Sequence, residues 1–356
     1  MNLIIGLIAF VFMLSVIIVI HELGHFLVAR HFGVYCKEFS IGMGPLLYAK
    51  QGKETQFSIR AIPFGGFVMM AGEEDGSQDE EEDWLKDLDE SRRLNFKPRW
   101  QQICVMVAGV VMNILLAWVL YIGLAMAQGY VVEDPLPVVY EIIPGQAADQ
   151  AGLQEGDHIL KVTDGTDVLE PETQYDLLEW IQYHPEELQA TVQRQDEVFE
   201  VSIQPEKDEE TNTYSLGYVV SANAHYVPWY TGFYYGTMDM LESGTSIYRA
   251  LGHLIQGEGL QNLSGPVGIA QVTTQATTQG LDSYISLFAM ISLNIGIFNL
   301  LPIPAMDGGR ILILILEKIF RRKISTRVVE NVIMVSFILL IGLFLFATYN
   351  DILRLF

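Results

Sequence analysis

The chain has 356 residues, a net charge of −22 and a hydrophobic fraction of 50%. That acidity argues against a nucleic-acid binder, because phosphate recognition needs clustered Lys and Arg, and against docking on anionic lipid through a polybasic patch. Two isolated cysteines, Cys36 and Cys104, argue against a Cys-rich zinc module and predict no disulfide.

Long apolar runs alternate with acidic stretches, which predicts a multi-spanning membrane protein with water-exposed parts. Residues 1–31 form the first span. No Lys or Arg precedes Arg30, so the segment lacks the basic start of a cleaved signal peptide and reads as a retained helix. Near its end stand His21, Glu22, Leu23, Gly24 and His25. On a helix, residues four apart lie roughly 40° apart around the axis. Two imidazoles can then face one metal ion, with Glu22 beside them to take a proton from an activated water. Ionisable groups at the end of an apolar helix are costly and mark function. The rival reading is a chance match to a loose five-residue pattern.

A catalytic zinc usually keeps three protein ligands and one open position. His31 stands at the spacing of a third histidine in one protease pattern, but that pattern needs Gly where Val28 stands. In a continuing helix His31 is turned roughly 240° from His25, so it reads as an interfacial histidine. Glu38 is a weaker candidate. The first helix cannot complete its own site.

Residues 32–99 form a polar loop. Within it, 56–61 and 66–70 predict an antiparallel hairpin over about 55–70, with an ordinary turn as the plain alternative. Residues 73–90 read as a solvated acidic linker in which Trp84, Leu85 and Leu88 could form a short helix. Residues 100–127 form the second span. Residues 128–206 predict a folded module: a strand at 138–143, a short helix ending at Gly152, a turn at Glu155, Gly156 and Asp157, and a strand at 158–162. Residues 207–282 contain an aromatic, amphipathic stretch suited to the membrane–water interface. His158, His184, His225 and His253 show no ligand spacing and read as surface or core histidines.

Residues 283–320 form a broken third span. Pro302 and Pro304 cannot sit in a continuous helix, and Gly308 and Gly309 permit unusual backbone angles. Asp307 lies beside the break, inside otherwise apolar sequence, where a carboxylate needs a partner. Taken alone it could equally cap the next helical segment; the incomplete histidine pair makes it the third ligand. Asn299 could join helices or bond a substrate backbone. A basic loop at 321–330 leads to the fourth span at 331–350. Lys and Arg concentrate in the loops after the first and third spans, while 128–281 holds only Lys161, Arg194, Lys207 and Arg249. The basic loops are therefore expected in the cytoplasm and the long acidic region outside.

Together the two motifs resemble the site-2 protease family of intramembrane zinc metalloproteases, in the bacterial branch typified by the regulator of sigma-E protease. The resemblance extends over most of the chain: residues 41–45, Phe57 to Phe67, Phe96 with Lys97 and Pro98, Ala108 with Gly109 and Asn113, 263–269, and Asn299 through Gly309. Ala151, Gly152, Leu153, Gly156 and Asp157 resemble a bacterial PDZ domain. Two departures stand out: Val110 occupies a position where the family often has Pro, and one PDZ domain is recognisable where many members carry two.

The resemblance implies Zn2+ held by His21, His25 and Asp307, with Glu22 as catalytic base. It implies a membrane-dipping hairpin, and substrate contacts from Gly65, Gly66, Phe67, Asn299, Pro302 and Pro304. Substrates would be single-span membrane proteins, such as anti-sigma factors or signal-peptide remnants, cut in regulated intramembrane proteolysis. The PDZ domain would take a peptide C-terminus or screen access. The expected fold is a polytopic α-helical membrane protein of about four transmembrane helices in the cell membrane, with a membrane-associated β-hairpin and an extracytoplasmic α+β PDZ domain. The active site would face the cytoplasmic side. The rivals are a non-catalytic PDZ-bearing scaffold with a structural metal, and a transporter, since broken helices also mark transport sites.

Overall fold

The computed structural model describes residues 2–73, 84–85, 88–208, 213–257, 264–322 and 324–353. Most of the acidic linker expected at 73–90 therefore lies outside the described residues. The chain divides into two compact units. The first comprises 1–124, 233–247 and 264–349, the second 125–232, 248–263 and 350–356.

The first unit is built on helices apolar enough to live in lipid. Helix α1 (Asn2–His31) and helix α2 (Arg99–Gln128) each run for 30 residues. Among the described residues, four helices are long and apolar enough to cross a membrane, the other two being in the C-terminal third. On α1 the side chains of Phe10, Met13 and Ile17 are buried in a cluster with Ala276, Leu287, Phe288 and Ile291, while Leu3, Ile4, Ile8 and Phe12 are exposed. An apolar surface of that extent is untenable in water and ordinary in hydrocarbon.

The stretch expected as a broken third span forms two helices. Its first half ends at Asn299 and its second half starts at Asp307. The later segment, Asp307–Phe320, has 14 residues, about 21 Å at the helical rise, too short for a hydrocarbon core of about 30 Å. The glycines serve a different end from the one expected. Gly308 and Gly309 do not adopt positive φ; they sit in the first turn of the helix and let it press against the preceding bend. A Cβ on Gly308 would lie 2.2 Å from the Leu300 carbonyl oxygen, and one on Gly309 2.2 Å from that of Ile303.

The loop after α1 is also more elaborate than a 55–70 hairpin. Strand β1 (Cys36–Gln51) pairs antiparallel with strand β2 (Gln56–Met70) twice over. Phe39 is opposite both Val68 and Phe57, and Phe57 is opposite Lys50 as well. Segment 36–41 thus lies between 66–70 and 56–59, and the two arms expected to pair with each other are separated by it. The turn-back of β1 is made at Gly42 and Gly44, both at positive φ, a region glycine enters without penalty. Ile41, Met43, Leu46, Leu47, Tyr48, Phe57, Ile59 and Ile62 leave this sheet with an exposed apolar rim.

The second unit has its own core. Strands β3 (Tyr130–Val132) and β4 (Glu141–Ile142) precede a four-stranded sheet of β5 (His158–Thr163), β6 (Val168–Leu169), β7 (Leu188–Arg194) and β8 (Glu197–Ile203), ordered β6-β5-β7-β8. Helices α3 (Ala147–Gln150) and α4 (Gln174–Tyr183) bring Ala148, Leu177 and Ile181 onto Ile159, Val162, Ala190 and Val192. A capping box fixes the start of α4: Thr173 Oγ1 accepts from the Asp176 amide, and Asp176 accepts from the Thr173 amide. The Asp157 carboxylate is fully buried, accepting from Arg194 at 2.7 Å and from the Gln154 amide at 2.8 Å. Burial alone pushes that carboxyl up, but Arg194 and the Gln154 amide outweigh it and hold the group below its ordinary value. Cys36 and Cys104 are free, as expected.

Candidate metal centre

Both histidines lie on one face of α1, as the four-residue spacing requires. Their Nε2 atoms are 3.1 Å apart. The bend at 300–306 delivers Asp307 to the same point, with Oδ2 at 3.1 Å from His21 Nε2 and 3.3 Å from His25 Nε2. His21 and His25 are buried. Asp307 Oδ2 is buried too, and accepts no well-aligned hydrogen bond. Three buried donors that converge on one point, with Asp307 Oδ2 left without a hydrogen bond, call for a cation between them.

The donor set fits zinc. Zinc–nitrogen and zinc–oxygen bonds of about 2.0–2.1 Å in a tetrahedron set donor atoms about 3.4 Å apart, and the three observed separations are close to that edge. Two nitrogens and one carboxylate oxygen leave a fourth position open, the pattern of a catalytic rather than a structural site.

Helix α2 supports the histidines from behind. His25 Nδ1 donates to the Val105 carbonyl oxygen at 2.8 Å. A carbonyl only accepts, so Nδ1 carries the hydrogen and Nε2 keeps its lone pair for a metal. His21 Nδ1 lies 3.3 Å from the side-chain amide of Asn113. Gly109 passes directly over both rings: a Cβ there would be 2.4 Å from His25 Nε2 and 2.8 Å from His21 Nε2. Gly24 permits the approach from the other side, since its Cβ would lie 2.4 Å from the Ala108 carbonyl oxygen.

A cavity of about 190 Å³ opens on these donors. Glu22 and Asn299 line it, together with Val68, Met70, Glu73 and Arg310. The strand segment 66–70 borders it: a Cβ on Gly66 would lie 3.9 Å from Glu22 Cγ. Other sequence candidates fall elsewhere. Gly65 adopts φ +92° at a bend over Met43, and Phe67 stacks under Arg60 at 5.1 Å. Pro302 and Pro304 shape the bend but do not line the cavity. His31 is exposed at the end of α1. Glu38 is buried against Ser58 and Arg60, 2.8 Å from the guanidinium, away from the metal donors.

Sequence reasoning missed two charged residues. Glu73 reads as linker in sequence but is largely buried and pairs with Arg310, 237 positions away. No local pattern signals a pair at that separation. In the second unit, His184 faces Asp164 and Asp167 at 3.9 and 3.7 Å; with Asp167 71% exposed, this reads as a surface ion pair.

The family model described as Peptidase family M50 matches residues 9–343. A Clostridium perfringens protein, "Putative zinc metalloprotease CPE1693", is 36% identical over 354 residues, covering 99% of this chain and 98% of that one. The "Regulator of sigma-W protease RasP" of Bacillus subtilis is 30% identical, with 98% of each chain covered. The "Zinc metalloprotease RasP" of Bacillus licheniformis is also 30% identical, over 98% of this chain and 99% of that one.

Proposed function

The chain belongs to peptidase family M50, and from that premise and the geometry of its centre we propose how this multi-pass membrane zinc metalloprotease acts. His21, His25 and Asp307 hold the zinc, and Glu22 is the base. The observation that carries this reading is the meeting of three buried donors within 3.1–3.3 Å, contributed by two membrane segments nearly 300 residues apart.

Bound by these three side chains, zinc would supply a Lewis acid for the scissile carbonyl and would lower the pKa of a bound water toward about 7. Glu22, lining the same cavity, accepts the proton of the attacking water and delivers it to the leaving amine. A transmembrane helix hides its carbonyls in its own hydrogen bonds, so the substrate has to enter as an extended strand. Segment 66–70 offers an edge for it: its described pairings are all to β1, and Val68 and Met70 border the cavity. A substrate strand adds there by main-chain bonding, and Asn299 binds it from the opposite wall. The exposed apolar rim of the sheet dips into the bilayer.

The substrates are single-span membrane proteins of the anti-sigma-factor kind; the sigma-W regulator among the relatives favours that class. The second unit is a PDZ domain. Its Gly156-Asp157 turn and its sheet-and-helix core support that reading, and the scarcity of Lys and Arg there favours an extracytoplasmic position.

The test is zinc content and cleavage of a membrane-embedded substrate by the purified protein, wild type against Glu22→Gln. Zinc retained with cleavage lost, and wild-type cleavage abolished by a chelator and restored by zinc, is the expected result. Equal cleavage by both proteins would remove Glu22 as the base. Folded wild-type protein without zinc would remove the site and leave a scaffold or transporter.

A further inference from the structure

We infer that Asn113 is a positioning residue for the metal centre: its amide oxygen accepts the Nδ1 hydrogen of His21 and so sets which ring nitrogen faces the metal. The inference rests on His21 being a zinc ligand, as proposed above. It concerns how that ligand is held.

The argument starts from the demands of ligation. A histidine binds a metal through a nitrogen lone pair, so its other nitrogen carries the hydrogen. His21 presents Nε2 to Asp307 and His25. Its Nδ1 must therefore carry a hydrogen and point it at an acceptor. The atom placed there is Asn113 Nδ2, 3.3 Å away, at one end of a side-chain amide whose other end is the oxygen. Of the two amide positions, only the oxygen accepts. A half-turn about the terminal bond exchanges oxygen and nitrogen without moving the rest of the side chain. The oxygen otherwise faces a pocket in which it is buried and has no hydrogen-bond partner. Turning it to His21 gives it one.

The surroundings mark Asn113 as a placed residue. Its side chain is fully buried, a rare position for an amide. Its backbone carbonyl accepts from Ser292 Oγ at 2.9 Å, and Ser292 is itself fully buried in the third span. Asn113 is also the last member of a stripe on α2. Val105, Gly109 and Asn113 are four residues apart and so share a face. Val105 offers a carbonyl to His25 Nδ1, Gly109 clears the space over both rings, and Asn113 offers an amide to His21 Nδ1. One face of α2 thus sets the tautomer of both histidines. The two ends differ in kind. A backbone carbonyl cannot be mutated away at Val105, so Asn113 is where the device can be tested.

The experiment is zinc affinity, read by chelator competition on the purified full chain in detergent, for wild type, Asn113→Leu, Asn113→Asp and Ser292→Ala. Asn113→Leu fills similar space without an acceptor; zinc binding is expected to weaken about 10–100-fold. Asn113→Asp keeps an acceptor and is expected to stay within about threefold of wild type, and its result decides the matter if Asn113→Leu does not fold. Ser292→Ala loosens the same helix contact but leaves the imidazole bond, and is expected to bind zinc as wild type does. A purely structural role predicts no such difference, with Ser292→Ala as damaging as Asn113→Leu. The inference is overturned if folded Asn113→Leu binds zinc as tightly as wild type, or if Asn113→Asp loses it. Either result leaves the metalloprotease reading intact; that reading falls only if wild type binds no zinc or Glu22→Gln still cleaves.

Discussion

At the scale of single residues the centre depends as much on what is missing as on what is present. Gly109 is missing a side chain at the point where one would collide with Nε2 of both His21 and His25. Gly109→Ala is expected to lower the zinc retained per chain at least tenfold, and cleavage with it, while helicity by circular dichroism is unchanged. Gly123 on the same helix has open space where a Cβ would stand. Gly123→Ala is expected to keep zinc and to gain up to about 1 kcal/mol of helix stability. The contrast makes the prediction sharp, since the two substitutions are chemically identical. The residues proposed for zinc binding and catalysis were legible in sequence. His21, Glu22 and His25 carry their own spacing, and Asp307 stands out as a charge in apolar surroundings. Their supports were not. A carbonyl at Val105 has no signature, because every residue has one, and Glu73 reads as linker until Arg310 is seen opposite it.

At the scale of elements the broken third span works as a hinge-free elbow. Proline ends the first half, and two glycines let the second half dock on the bend so closely that Asp307, the first residue of that helix, has little room to move. Gly308→Ala would place a methyl against the Leu300 carbonyl. Overpacking of this sort costs about 1–3 kcal/mol, and the relief available is to swing the helix and its Asp307 outward. Weaker zinc binding together with a lower unfolding midpoint is therefore expected, measured by chelator competition and thermal unfolding. Gly342→Ala in the last long helix, where an added Cβ would meet open space, should change neither. Sequence showed the break because proline is unambiguous. It misjudged the glycines because freedom of φ and closeness of approach leave the same letter. The sheet of β1 and β2 was hidden for a related reason. Strand character at 56–61 and 66–70 is readable, but pairing depends on residues 36–51, whose turn-back at Gly42 and Gly44 has no fixed pattern.

At the scale of the whole molecule the division into two units, each with its own buried core, separates stability from metal binding. The lever is the buried pair of Asp157 and Arg194 in the second unit. With Asp157→Ala, Arg194, whose side chain is 30% exposed, can rehydrate, but the Gln154 amide loses its acceptor. The expected cost is about 2 kcal/mol, seen as faster hydrogen exchange across the central strands of the second unit, with zinc content unchanged. The pH dependence follows with a definite sign. The folded state holds the Asp157 carboxyl below its ordinary value, so the unfolded chain binds its proton more readily. The contribution is complete above the ordinary carboxylate value of about 4 and is lost as pH falls through the lower folded value. Exchange protection of β5 and β7 should therefore hold from neutral pH down to about 4 and decline below it. The Asp157→Ala variant should show a smaller decline over the same window, because it has already lost the group that titrates. Equal decline in both proteins would mean that other carboxylates set the acid limit of this unit.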